Sequence, residues 1–321
     1  LGAEQAMASV VITEFMDAPA VAALSTKLSV TYDPGLVDQP ERLRMLLASA
    51  DAVIVRNRTQ VDRELLASAP RLQAVGRLGV GLDNIDVPAC AERSIKVIPA
   101  TGANAQAVAE YVMATTLMLV RGAYQATTAV AHGQWPRAAF SNGHELHGKV
   151  MGLVGFGTIG RLVSDLVKAF GMHVIAFDPA LPAEHEAYRL HKAACCPNLE
   201  LLLNKADVVS LHVPLTPSTR HLFNAKRLAQ MKPTALLINT ARGGIIDEHA
   251  LIQALREERL GGAALDVFDH EPPLAGQLPA DLPQLILTPH IAGLTQESNA
   301  RVSTMIAERI IALFNDPTPS A

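Results

Sequence analysis

Apolar residues in the first hundred positions gather in short runs set between polar and proline-marked stretches. Ser9–Thr13, Ala50–Val55, Leu72–Val75 and Lys96–Ile98 have the length and β-branched content of buried strands, while Pro40–Ser49 and Val61–Ala67 carry helical spacing. Such alternation predicts a parallel sheet with crossover helices. Asn104 to about Gly133 is then apolar and alanine-rich, interrupted early only by Gly122, and reads as one long helix or two in series. From Lys149 the alternation resumes: a strand at Val150–Val154, a glycine turn, a helix to about Phe170 and a strand at His173–Phe177. Further strands are expected at Val208–Leu211, Ala235–Asn239, Ala263–Val267 and Leu285–Leu287, and a helix at Glu297–Phe314. The fold class is therefore α/β, with two doubly wound parallel-sheet domains.

Composition narrows the function. A chain of 321 residues that is 49% hydrophobic and 18% charged can fill two cores, and a net charge of −4 disfavours nucleic acid or an anionic membrane as partner. The cysteines, Cys90, Cys195 and Cys196, are odd in number and lack Cys-x-x-Cys spacing, so neither a disulfide framework nor a zinc site is expected. No apolar run has membrane-spanning length, the start lacks the features of a signal peptide, and a cytoplasmic location is expected. Leu1–Ala6, ahead of Met7, are set aside from the fold, and no further C-terminal regulatory domain is expected.

The chemistry lies in the second half. Gly155, Gly157 and Gly160 form G-x-G-x-x-G between a buried strand and a helix: the first allows the turn, the second the approach of a pyrophosphate, the third close helix packing. The helix N-terminus at Thr158 and Ile159 faces phosphates with free N–H groups. Asp178 ends the next strand, where an acidic group binds ribose hydroxyls and its charge repels a 2′-phosphate, so NAD is favoured over NADP. Downstream come Arg242 in Asn-Thr-Ala-Arg-Gly-Gly, Glu271 in Asp-His-Glu-Pro and His290 in Thr-Pro-His-Ile-Ala-Gly. An arginine fork holds a carboxylate, a histidine exchanges a proton near neutral pH, and a neighbouring carboxylate orients it and favours its charged form. That set suits hydride and proton transfer at a 2-keto or 2-hydroxy acid, without a metal.

With the stretches Val75–Asp86, Ala107–Glu110 and His212–Leu215, these segments resemble the D-isomer-specific 2-hydroxyacid dehydrogenases over about Val10 to Ala312. The resemblance implies two Rossmann-like domains: a discontinuous substrate domain, 1–103 with 291–321, and an NAD-binding domain, 104–290. It implies that Arg242 clamps the substrate carboxylate, His290 is the acid/base and Glu271 its partner, with backbone N–H groups of Leu78, Gly79 and Val80 joining the clamp. It places His212, Val213, Pro214 and Thr219 near the cofactor, Thr240 and Ala241 at the nicotinamide ribose, Asp266 on the carboxamide, and Val80 and Gly293 beside the nicotinamide. A homodimer is expected as well.

Substrate choice rests on the first domain. If Val55–Thr59 is extended, Arg56 and Arg58 share a face and suit a second substrate anion, with Arg77 and a neighbouring subunit's Trp135–Arg137 closing the pocket. Val11–Asp17, Asn57–Thr59 and Gln134–Arg137 resemble the (S)-sulfolactate dehydrogenase subgroup, making 3-sulfolactate and 3-sulfopyruvate the leading pair. The alternatives are 3-phosphoglycerate, glyoxylate or hydroxypyruvate, and, in another class, an NAD(H)-sensing corepressor on the same fold.

Overall fold

Alternate residues of one strand enter different cores in both halves of the chain, which is what a parallel sheet covered on both faces demands. The computed structural model describes residues 7–315, so Leu1–Ala6 and residues 316–321 of the expected substrate domain lie outside it. Two units form, one running to Asn104 and resuming at Leu294, the other Ala105–Gly293. Ile291–Gly293, expected in the discontinuous unit, fall with the second one. The reason is local: the N–H groups of Ile291 and Ala292 are bonded to Asp266.

In the first unit β1 (Ser9–Ile12), β2 (Ser29–Tyr32), β3 (Ala52–Val55), β4 (Ala74–Arg77) and β5 (Lys96–Pro99) form a parallel sheet ordered β2-β1-β3-β4-β5. Val10, Ile12, Ala52, Ile54 and Ala74 pack on one face with Ile306 and Ile310 of the helix Gln296–Asn315. Val11, Val53, Val55 and Val75 pack on the other. That helix lies so close to β4 that a Cβ on Gly76 would come within 2.9 Å of Ile306.

The second unit holds β6 (Val150–Val154), β7 (His173–Phe177), β8 (Ala194–Cys195), β9 (Val208–Leu211), β10 (Leu236–Asn239), β11 (Gly262–Leu265) and β12 (Leu285–Leu287). All are parallel, in the order β12-β11-β10-β9-β6-β7-β8. The chain leaves β6 toward β7 on one side and later returns to β9 on the other, so the strand order reverses at β6. A crevice opens at the C-terminal ends of strands at such a reversal.

Several elements differ from expectation for physical reasons. The helix expected from Val61 starts at Arg63, because the Asp62 carboxylate caps Leu65 N–H at 2.8 Å while Val61 bridges to Ile85 instead. The long apolar segment breaks at Gly122, whose φ of 59° ends the helix Ala105–Arg121. Strands β2 and β8 were not expected at all. The first is an edge strand with no fully buried residue and the second is two residues long, so neither has an apolar run to announce it.

Candidate active site

The ends of β10, β11 and β12 carry the Arg242, Glu271 and His290 loops, on adjacent strands of one sheet edge. Asn239, 2% exposed, organises the first loop: its side chain accepts from Ala241 N–H at 3.0 Å and donates to Arg242 C=O at 2.9 Å. The Arg242 Nη1 donates to Ala241 C=O at 2.6 Å. Gly243 is the contact to the second loop, since a Cβ there would lie 1.8 Å from the Phe268 carbonyl oxygen. No residue with a side chain could hold the two loops this close.

Glu271 and His290 are joined directly. The His290 Nδ1 lies 2.7 Å from Glu271 Oε2, while Glu271 Oε1 accepts from Phe268 N–H at 3.1 Å, so the carboxylate is fixed at both ends. A carboxylate oxygen accepts, so in this pair Nδ1 is the donor and Nε2 is the ring nitrogen outside the bond. The backbone of His290 is left-handed, φ 54°, an uncommon state outside glycine that must be held by its surroundings. Asp266 holds it. Only 1% exposed, its carboxylate accepts from Thr288 Oγ1 at 2.6 Å, Ile291 N–H at 2.8 Å and Ala292 N–H at 2.7 Å, bracketing His290. The Tyr111 hydroxyl bonds Thr288 in turn. The resemblance assigns Asp266 to the carboxamide, but the bonds it makes here serve the histidine loop. Nothing in the spacing of Asp266 and His290 announces this link, because its donors are backbone groups. Glu248 acts similarly on the second loop, accepting from Asp269 N–H at 2.7 Å, and burial raises its pKa.

The glycine turn lies where the order of strands reverses. Gly155 has φ 93°, and a Cβ there would lie 2.3 Å from the His212 carbonyl; at Gly160 it would lie 2.5 Å from the Gly155 carbonyl. Around Gly157 the space is open. Gly157 is the N-cap of the helix Thr158–Lys168 and has no side-chain cap, so the first N–H groups, near Thr158 and Ile159, point into that space. Asp178 sits beside the turn, Oδ2 accepting from Phe156 N–H at 2.8 Å and Oδ1 from Ala180 N–H at 2.9 Å. The Thr240 hydroxyl is buried without a hydrogen-bond partner among the described residues. An open cradle at a helix N-terminus, an acid beside it and an orphaned hydroxyl fit a dinucleotide.

Other expected cofactor residues have identifiable partners. His212 faces Ser210, Nε2 to Oγ 2.9 Å, and burial pushes its pKa down to about 4. Thr219 Oγ1 donates to Pro214 C=O at 2.6 Å and accepts from Thr216 N–H at 2.7 Å, closing the turn that carries Val213 and Pro214. Ala241 and Gly293 lie on the Arg242 and His290 loops.

The substrate residues of the first unit depart from expectation. Leu78 N–H is taken by Val55 C=O and Gly79 N–H by Arg77 C=O, both at 2.8 Å, so Val80 is the one of the three whose N–H is not used in these bonds. Strand β3 ends at Val55, and the following loop is not extended; it wraps the Glu14 carboxylate. Arg56 and Arg58 consequently reach separate partners, Asn299 for Arg56 at 2.6 Å and Asp38 for Arg58. Trp135 is 79% exposed. Among the described residues, no group of His, Cys, Asp and Glu could hold a metal and no helix is long and apolar enough to cross a membrane.

Residues 113–292 match the family model described as "D-isomer specific 2-hydroxyacid dehydrogenase, NAD binding domain". The chain belongs to the D-isomer-specific 2-hydroxyacid dehydrogenases. It is similar to an (S)-sulfolactate dehydrogenase of Chromohalobacter salexigens, 54% identical over 95% of this chain and 97% of that protein. A D-3-phosphoglycerate dehydrogenase of Methanocaldococcus jannaschii is 39% identical over 95% of this chain, which spans 57% of that relative's length. Among solved structures, D-lactate dehydrogenase from Aquifex aeolicus, complexed with NAD and lactic acid, superposes with a TM-score of 0.80 at 28% identity, covering 95% of each chain. The chain is an NAD-dependent dehydrogenase of this family, with two parallel-sheet α/β units.

Proposed function

We propose that this dehydrogenase interconverts (S)-3-sulfolactate and 3-sulfopyruvate with NAD, using Arg242, Glu271 and His290. The observation that carries the chemistry is the Glu271–His290 pair at 2.7 Å at the C-terminal sheet edge that also bears Arg242. The observation that favours the sulfonate is the 54% identity to an (S)-sulfolactate dehydrogenase along nearly the whole of both chains.

In this reading the bound nicotinamide supplies or accepts hydride at C2 of the acid. The chain's own part is to orient and to move the proton. Arg242 grips the C1 carboxylate with its planar fork, aligning the keto group and drawing electron density toward its oxygen. His290 Nε2–H donates to that oxygen as negative charge develops on it and recovers the proton in the reverse direction. Glu271 fixes the tautomer through Nδ1, and Asp266 holds the left-handed turn that aims the ring. Asp178 receives the adenosine ribose hydroxyls.

A substrate panel tests the proposal. With NADH fixed, sulfopyruvate should give the highest kcat/KM among sulfopyruvate, phosphohydroxypyruvate, hydroxypyruvate, glyoxylate and pyruvate. A clear preference for the phosphorylated acid would favour the phosphoglycerate reading instead, and no turnover of any would favour a binding protein. A cytoplasmic homodimer is part of the same proposal, supported by the unpaired cysteines and by the exposed Val130 and Trp135 on one segment; sedimentation as a monomer would remove the dimer from it.

A further inference from the structure

Two acids open the helix Glu248–Arg256, and they do different things. Asp247 is the N-cap, its carboxylate accepting from Ala250 N–H at 3.0 Å. Glu248 turns inward and is 8% exposed. An acid in a first helical turn complements the helix dipole from the surface, so that interaction does not require burial. Burial and the charge of Asp269 raise the Glu248 pKa by more than the bonds from Asp269 N–H and Gln277 and the charge of His270 lower it. Such costly placements of a carboxylate cluster at functional sites.

The two oxygens of Glu248 hold the two ends of one loop. Oε1 accepts from Asp269 N–H at 2.7 Å, and Oε2 lies 3.5 Å from Gln277 Nε2. Gln277 closes the far end, its Oε1 accepting from Leu274 N–H at 3.0 Å and its own N–H donating to Leu274 C=O at 3.0 Å. Glu271, the partner of His290, lies between those ends.

The base from which Glu248 reaches is firm. His221 N–H donates to Gly244 C=O at 2.7 Å, Phe223 N–H to Ile245 C=O at 3.0 Å and Asp247 N–H to Phe223 C=O at 3.0 Å, while Ile245 and Ile246 are buried. The same stretch begins with Arg242 and Gly243. It therefore meets the Glu271 loop twice, at Gly243 on the Phe268 carbonyl and at Glu248 on Asp269 N–H.

We propose that Glu248 is a positioning residue for proton transfer: it fixes the loop that carries Glu271 against the segment that carries Arg242, and so sets where the Glu271–His290 pair stands relative to the arginine. This rests on the roles given above to Arg242, Glu271 and His290. Every residue involved lies in the unit Ala105–Gly293.

A double-mutant cycle tests it, with kcat read at saturating NADH on whichever keto acid of the panel above turns over best. Amide hydrogen exchange in residues 268–277 and the proton NMR signal of His290 Nδ1–H are followed without substrate. Glu248→Ala leaves Asp269 N–H without its acceptor, and a small misplacement of the reacting groups is costly, so kcat should fall about 10- to 100-fold while Kd for NADH changes little. Glu248→Gln keeps an oxygen for Asp269 N–H but turns a donor toward Gln277 Nε2, so its loss should be smaller. In a Glu271→Ala background there is no carboxylate left to place, and Glu248→Ala should then add less than about twofold. Exchange should quicken and the His290 signal broaden in Glu248→Ala. Equal fold-losses with and without Glu271 would assign Glu248 a merely structural role and overturn the proposal, as would an unchanged His290 signal. If Glu271→Ala alone leaves kcat intact, or no acid of the panel turns over, the catalytic reading has failed, and the exchange and NMR results decide by themselves whether Glu248 fixes the loop. If Glu248→Ala does not fold, Glu248→Gln taken through the same cycle should show the same coupling in weaker form, and additivity there refutes it.

Discussion

In the proposed mechanism single residues carry the chemical step, and each can be separated from its neighbours by what it touches. His290→Asn removes the proposed proton donor, and asparagine is chosen because it tolerates the left-handed φ of 54°. Loss of general acid catalysis should lower kcat about 10²- to 10⁴-fold with NADH affinity almost unchanged. Arg242→Ala should instead raise KM and lower kcat together, since holding and polarisation are lost at once. Steady-state kinetics on the two variants check this, and near-normal turnover by His290→Asn would mean that another group donates the proton. Asp178 makes a different prediction. Its charge opposes a 2′-phosphate, so kcat/KM with NADH should exceed that with NADPH at least tenfold, about 1.4 kcal/mol. Asp178→Ala should narrow the ratio and also loosen the turn, because Phe156 N–H loses its acceptor. Equal use of the two cofactors by the parent would count against the placement.

At the scale of elements, the glycine turn separates packing from binding. Gly155→Ala meets the His212 carbonyl at 2.3 Å in a left-handed backbone and should destabilise the fold and weaken NADH together. Gly157→Ala meets nothing within 4 Å at an ordinary negative φ, so its melting temperature should stay near that of the parent while KM for NADH rises. Thermal melts beside cofactor titrations check the contrast, and a large loss of stability in Gly157→Ala would show that its space is needed by the chain itself. This turn was legible in the sequence because it joins glycine spacing to a buried strand and a helix. The β11 and β12 loops were legible only in part. The composition of Asp-His-Glu-Pro and Thr-Pro-His shows carboxylate and imidazole, but that Asp266 binds the N–H groups beside His290 depends on backbone positions that residue type does not encode. Glu248 was missed for the same reason. The edge strands β2 and β8 escaped because burial, the source of the apolar signal, is slight there.

For the molecule as a whole, protons should act on the two units at different pH. His212, in the unit Ala105–Gly293, has its pKa pushed by burial from the ordinary 6.5 down to about 4. The folded unit thus binds its proton less readily than the unfolded chain does. Its contribution to stability is complete above pH 6.5 and is lost progressively as pH falls to about 4, at most about 3 kcal/mol. Glu248 in the same unit opposes this, because burial raises its pKa and favours the protonated form in the fold. Glu14, in the other unit, has a lowered pKa, so its contribution persists down to its ordinary value of 4.5 and fades only as pH falls through the depressed one. Between pH 6.5 and 4.5, then, His212 weakens its own unit while the loop wrapped on the Glu14 carboxylate remains intact. Hydrogen exchange read unit by unit at pH 7, 6 and 5 should show opening free energy falling in Ala105–Gly293, and a His212→Gln variant, which keeps a polar partner for Ser210 but cannot titrate, should lose that dependence. If parent and variant open with the same pH dependence, burial of His212 is not what couples this unit to acid, and the slope belongs to its carboxylates.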